Sequence, residues 1–167
     1  MTEAMTSARD EPLLAVRDLH THFSINAGLL RAVDGVSFDL RAGQTLGIVG
    51  ESGSGKTVLS RTIMRLNLGN NVHTSGQARF DGQDLLTLPM SEMTEIWGQE
   101  IAMVFQDPMT SLNPVVKIGR QVTEHVRKHF GVSKKEARTL AVELLKSVRI
   151  PEAEVTICSY PHELSGG

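Results

Sequence analysis

The chain has 167 residues, of which 40% are apolar, and a formal net charge of −2. That length suits one domain, or one and a piece of another, with enough apolar content for a core. The weak charge excludes a general electrostatic pull toward nucleic acid or an acidic membrane surface. No apolar run approaches the ~18 residues needed to span a bilayer. The single cysteine, Cys158, excludes an internal disulfide, which fits a reducing compartment, and it reads as a buried spare thiol.

Residues 1–12 are polar, with acids at Glu3, Asp10 and Glu11. They lack the basic and apolar regions of a signal peptide and read as a disordered tail. The product is therefore expected to be soluble, with any membrane role supplied by a partner. Leu13 to Phe23 reads as one or two strands, with Leu19, Thr21 and Phe23 on one face. Asn26-Ala27-Gly28 is a turn signal. Val36, Phe38 and Leu40 alternate with Ser37, Asp39 and Arg41, the pattern of a half-buried strand. Arg41-Ala42-Gly43-Gln44 then turns into Thr45-Leu46-Gly47-Ile48-Val49, an apolar run of strand length.

Gly50-Glu51-Ser52-Gly53-Ser54-Gly55-Lys56-Thr57 fits the phosphate-loop pattern G-x-x-x-x-G-K-[ST] at every required position. A polyphosphate is a compact cluster of negative charge, and backbone N–H groups hold it only if the chain wraps closely. Gly50, Gly53 and Gly55 lack Cβ and permit that wrapping, while Ser52 and Ser54 complete the loop. A helix starting near Gly55 adds its unpaired N–H groups and the positive end of its dipole. Lys56 is placed to reach the β- and γ-phosphates, and the Thr57 hydroxyl to ligate Mg²⁺. Val58, Leu59, Ile63 and Leu66 follow at helical spacing, so the motif stands between a strand and a helix, as its chemistry requires.

Ala78 and Phe80 alternate again before the turn pair Asp81-Gly82, and Ile101 to Phe105 reads as a short buried strand ending at Gln106-Asp107-Pro108. Beyond it the pattern changes. Ile118, Val122, Val126 and Phe130 step by four along one helix stripe. Ser133 and Glu136 form a capping box ahead of Ala137, Leu140, Ala141, Leu144, Leu145 and Val148, a second helix face that ends by Pro151. His125 and His129 have the i, i+4 spacing of a metal pair but no adjacent Glu or nearby Cys, and read as a helix edge. The expected division is a tail over 1–12, a partial nucleotide-binding core over 13–107, and a helical subdomain over 108–167.

Three motifs occur in order: the phosphate loop, Gln106 after an apolar run, and Leu164-Ser165-Gly166-Gly167. On these the chain resembles the ATP-binding subunits of ABC transporters. The wording Phe105-Gln106-Asp107-Pro108-Met109-Thr110-Ser111-Leu112-Asn113-Pro114 and Tyr160-Pro161-His162-Glu163-Leu164 looks like the dipeptide and oligopeptide importer subgroup. The resemblance covers residues 13–167. It implies an α/β P-loop NTPase of ABC type, with a mixed sheet region and an inserted helical subdomain, incomplete at the C-terminus.

The resemblance also implies roles. Phe23 stands where the family places an aromatic that stacks on adenine, Gly50 and Ser52 to Thr57 hold the phosphates of ATP, and Gln106 positions Mg²⁺ or the attacking water. Ser165, Gly166 and Gly167 face the γ-phosphate held by a second ATP-binding subunit, identical or different, so that two ATP molecules lie between two chains. The family's second acidic strand, catalytic Glu and switch His follow that signature. The chain is accordingly expected to be a piece of a longer gene product, catalytically incompetent by itself. Its partners are membrane-spanning permease subunits and, indirectly, a solute-binding protein, at the cytoplasmic face of the inner or plasma membrane. No nucleic-acid partner is expected. Residue by residue, Gln106 also reads as a polar strand end and Phe23 as a core aromatic. A soluble ABC-type ATPase acting on DNA or the ribosome, and a P-loop kinase, are the competing functions.

Overall fold

The structure, a computed structural model, describes residues 11–106 and 112–164, with the side chains of His125 and His129 outside that description. Residues 1–10, 107–111 and 165–167, and with them most of the expected tail, part of the motif around Asp107 and the Ser165-Gly166-Gly167 triplet, also lie outside it. The chain divides between Thr94 and Glu95 into two compact units.

The first unit is built on an antiparallel sheet. β1 (Leu14–Ile25) and β2 (Gly28–Leu40) form a hairpin around Asn26 and Ala27, and β3 (Val72–Phe80) pairs with the other edge of β1. The two-residue β4 (Gln83–Asp84) returns from the Asp81-Gly82 turn, completing the order β2-β1-β3-β4. Alternation along β1 sends Leu19 and Thr21 to the core, both fully buried, with Val16 and Ala78 beside them. Helix α1 (Lys56–Ile63) packs on β1 and β2, burying Leu59 and Ile63. The Thr21 and Thr62 hydroxyls meet in this core at 2.7 Å, and the Asn67 amide donates to Thr62, so the buried pair is satisfied.

Two expected strands do not form. Residues 44–50 follow the Arg41–Gln44 turn as irregular chain, and no described strand pairs with them. Val49 is 96% exposed and Ile48 46%. Ile101 makes an isolated parallel bridge to Trp97, but residues 102–105 are irregular and Val104 is 91% exposed. The physical reason is the same in both places. An extended segment becomes a strand only when a neighbour accepts its N–H groups and supplies its carbonyls with donors.

α2 (Met90–Ile96) runs across the division of the chain. In the second unit, α3 (Ile118–Phe130) packs on α4 (Lys134–Ser147), which meets the short α5 (Ala153–Thr156). A 3₁₀ turn, Pro161–Glu163, follows. Ser133 caps α4 as a full capping box: its hydroxyl accepts from the Glu136 N–H, and the Glu136 carboxylate accepts from the Ser133 N–H. These bonds hold the Glu136 carboxyl below the ordinary glutamate range. Ile118 and Val126 are buried as the stripe on α3 requires, whereas Phe130 at its end is exposed. The expected face of α4 is only half used. Ala137 and Ala141 are buried against neighbours, but Leu140, Leu144 and Val148 form an exposed apolar row. Among the described residues, no helix is long and apolar enough to cross a membrane.

Candidate functional site

The phosphate-loop residues form a curl that ends in α1. Gly55 caps the helix at φ 88°, in the left-handed region. A Cβ there would come within 2.1 Å of the Ala32 carbonyl oxygen on β2, so only glycine lets the loop close against the sheet. A Cβ on Gly50 would fall 2.6 Å from Ser54 Oγ, filling the inside of the curl. Gly53 takes φ 83°, a turn that a side chain would strain. The Lys56 ammonium lies within this loop and donates to the carbonyls of Gly50 and Glu51, both at 2.7 Å, and to Ser54 Oγ at 3.1 Å. One side chain thereby ties the beginning of the loop to the start of the helix.

The first helical bond here is Leu59 N–H to the Gly55 carbonyl. The N–H groups of Lys56, Thr57 and Val58 precede it and are not consumed by α1's own ladder. Gly55 provides no side-chain cap. Thr57 and Ser52 are exposed on this rim. The assembly therefore presents a cation, hydroxyls and helix N–H groups around a glycine-lined curl, the chemistry of a polyphosphate cradle.

Phe23 sits near the end of β1, half-buried, opposite Leu30 on β2 and Val72 on β3. Gln106 belongs to the second unit and is exposed at the last described position before residue 107. In that unit the approach to Leu164 is tightly organised. The Ile118 and Gly119 N–H groups donate to the carbonyls of Ser159 and Ile157, at 3.0 and 2.9 Å, pinning this segment to the start of α3. Gly119 makes the contact possible, since a Cβ there would lie 2.4 Å from the Ile157 carbonyl oxygen. Tyr160 N–H donates to Glu163 at 2.7 Å, Pro161 is buried, and the Lys117 ammonium lies over the Tyr160 ring.

Two features here are not expected from the sequence. Gln121 clamps the loop before α3: its carbonyl oxygen accepts from Asn113 N–H, and its amide donates to the carbonyls of Asn113 and Val116. No spacing rule announces such a clamp. Cys158, expected to be buried, is exposed. Ile157 takes the buried position after α5, and the Cys158 sulfur accepts from Arg138 at 3.2 Å.

Comparison with known proteins agrees with this geometry. The ABC transporter family model matches residues 33–167. A putative peptide import ATP-binding protein of Brucella abortus is 49% identical over 161 residues, covering 96% of this chain and 48% of that protein. The dipeptide transport ATP-binding protein DppD of Lactococcus lactis is 50% identical over 159 residues, 95% of this chain and 46% of that protein. A dimeric ATP-binding cassette in a post-hydrolysis state with ADP and phosphate superposes with a TM-score of 0.74 at 23% identity, covering 92% of this chain and 63% of that one. The fold is that of an ABC-type P-loop ATPase, α/β and partial relative to those cassettes. The chain belongs to the ABC transporter ATP-binding family. Its similarity is to proteins named for peptide, dipeptide and oligopeptide transport, and it spans about half the length of these curated relatives.

Proposed function

We propose that this chain is the nucleotide-binding part of a subunit that energises ABC-type import of peptides, or of a similar small solute, by ATP binding and hydrolysis. The observation that carries this reading is the glycine curl closed by Lys56, with Gly55 at a position no side chain could occupy and Gly50 where a Cβ would displace the Ser54 hydroxyl. In it, Lys56 exchanges its loop carbonyl partners for phosphate oxygens, while Gly53, Ser54 and the first N–H groups of α1 receive the remaining charge. Ser52 lies on the rim. The exposed Thr57 hydroxyl is the protein ligand suited to Mg²⁺, which would neutralise phosphate charge, and Gln106 is the residue proposed to position Mg²⁺ or the attacking water. Phe23 is the proposed adenine platform.

In the same reading, Ser165, Gly166 and Gly167 address the ATP of a second ATP-binding subunit. Membrane-spanning permease subunits dock on the helical unit and hold this subunit at the cytoplasmic face of the membrane, with a solute-binding protein as an indirect partner. The exposed row of Leu140 and Leu144 on α4 and Val148 at its C-cap supports a docking role, because an exposed apolar row is suited to a partner. The resemblance places the water-polarising carboxylate beyond the Leu164-Ser165-Gly166-Gly167 motif.

The test is Lys56→Ala in the intact transporter, assayed by ATP-dependent peptide uptake into vesicles. Uptake is expected to fall to background, because phosphate charge is left unmatched in a partly dry site. Uptake at the wild-type rate would remove this loop from the nucleotide site.

A further inference from the structure

Three metal-ligating side chains that belong to none of the phosphate-loop positions converge on the β1–β2 hairpin. His20 Nδ1 lies 2.9 Å from Asp34 Oδ1, and His22 Nε2 lies 3.1 Å from the same oxygen. The three donor atoms all fall within 4.8 Å of one another. Neither imidazole is freely solvated: the His20 and His22 side chains are 26% and 20% exposed. His20 and His22 share one face of β1 by strand alternation, and Asp34 reaches them across an irregular β1–β2 pairing. The β1–β2 register shifts between Val16 and Leu19, between Leu19 and Thr21, and between Thr21 and His22. Asp18, within the first of these irregularities, takes φ 43°. Irregularities of this kind re-aim side chains, and here they accompany two histidines on one carboxylate.

The surroundings are those of an ordered ligand set. Asp18 Oδ1 lies 3.0 Å from His20 Nε2, the ring nitrogen turned away from Asp34. A carboxylate on the remote nitrogen fixes the imidazole tautomer and raises its basicity as a ligand. Arg31 approaches the other oxygen of Asp34 at 3.5 Å and orients that carboxylate. With carboxylates at both nitrogens, the His20 ring holds its proton above the ordinary histidine range, and Asp34 is held below the usual carboxylate range by His20 and His22.

We propose that His20 Nδ1, His22 Nε2 and Asp34 Oδ1 form a binding site for a borderline divalent transition ion of the Zn²⁺ class, with water in the fourth position. Bonds of ~2.0–2.2 Å from two imidazoles and a carboxylate place neighbouring ligand atoms of a tetrahedral site roughly 3.3 Å apart. The two nitrogen–oxygen separations, 2.9 and 3.1 Å, already approach that spacing, and the two nitrogens lie within 4.8 Å of each other, so side-chain adjustment brings all three onto one ion. On binding, the ion replaces the Nδ1 proton of His20, which leaves to solvent, while Nε2–H stays on Asp18. His22 binds through Nε2, whose proton, donated to Asp34 before the ion enters, leaves to solvent, and its Nδ1 carries the ring's remaining proton. Hard Mg²⁺ is a poor match, because it favours oxygen ligands and retains its waters. The site is therefore distinct from the one proposed at Thr57.

The experiment is calorimetric titration of the untagged chain with Zn²⁺, with Co²⁺ absorption as a second readout. One ion per chain is expected, with a tetrahedral Co²⁺ spectrum. His20→Gln and His22→Gln should each weaken binding by ~10-fold or more, and Asp18→Asn by a factor of about 10, through ligand orientation. Equal affinity and stoichiometry in wild type and in the folded His20→Gln/His22→Gln variant would overturn the site, as would no saturable binding in wild type. Should the double variant not fold, ring ¹⁵N spectra of the wild-type chain decide. Zn²⁺ must move His20 Nδ1 and His22 Nε2, and shifts confined to the other histidines would overturn the assignment.

Discussion

β1 and residues 45–49 carry similar apolar side chains and meet different surroundings. β1 is paired along both edges, by β2 and by β3, and α1 covers one face; Leu19 and Thr21 are completely buried there. Residues 45–49 have no paired neighbour among the described residues, and Leu46, Ile48 and Val49 remain exposed. A strand's burial comes from what lies beside it. The β1–β2 hairpin supplies its own neighbour within a few residues, so that part of the sheet forms locally, whereas the segment before the phosphate loop depends on a partner from elsewhere.

The sharpest way to test this difference is to truncate one side chain in each region. Leu19→Ala removes a fully buried side chain from the centre of β1. It should destabilise the first unit by ~2–5 kcal/mol, read by denaturant unfolding. A loss below about 1 kcal/mol would mean that the sheet core is less closely packed than its burial implies.

Gly119→Val asks the corresponding question of the second unit, where close backbone approach takes the place of strand pairing. The added side chain meets the Ile157 carbonyl and must separate α3 from the segment leading to Leu164. Overpacking of this kind should cost ~1–3 kcal/mol. The amides of Ile118 and Gly119 should also lose protection in hydrogen exchange, and unchanged protection would show that the docking survives.

Ser133→Ala should cost about 1 kcal/mol by removing one half of the α4 capping box, again read by denaturant unfolding. The other half is pH-dependent. Because the Glu136 carboxyl is held below its ordinary range in the folded chain, its contribution is present above that range and is lost as pH falls through the folded-state value. Helicity of the Ser133→Ala/Glu136→Gln variant should therefore be less sensitive to acid than that of the wild type. Equal acid sensitivity would place the effect elsewhere.

Val49→Ser completes the comparison with the smallest change. The residue is 96% exposed, so stability should move by no more than ~0.5 kcal/mol, and the amides of residues 45–49 should exchange much faster than those of β1. Slow exchange at 45–49 would show that these residues are paired in solution.

Features written within one turn or one loop are legible in the sequence. The spacing of Gly50, Gly55 and Lys56 describes a loop whose parts contact each other, and the observed bonds of Lys56 stay within six residues. Ser133 and Glu136 name a cap, and Asn26-Ala27 and Asp81-Gly82 name turns, because each depends on local backbone geometry. The same locality explains why Ile118, Val122 and Val126 mark a helix stripe. The ABC family itself is legible because its motifs are short and ordered along the chain.

Long-range contacts decided the rest. Apolar content at residues 45–49 and 101–105 expresses a capacity to be buried, and only a neighbouring strand or helix could realise it. Leu140 and Leu144 share a helix with Ala137 and Ala141, yet only the alanines are covered by the elements packed there. Gln121 reaches Asn113, Gly119 meets Ile157, and the two histidines of β1 share Asp34 of β2, each through a separation that pattern reading does not see. Sequence by itself determined the local backbone forms and the chemical groups available. Tertiary structure decided which of those groups meet, because burial and ligation depend on atoms that folding brings together from distant parts of the chain.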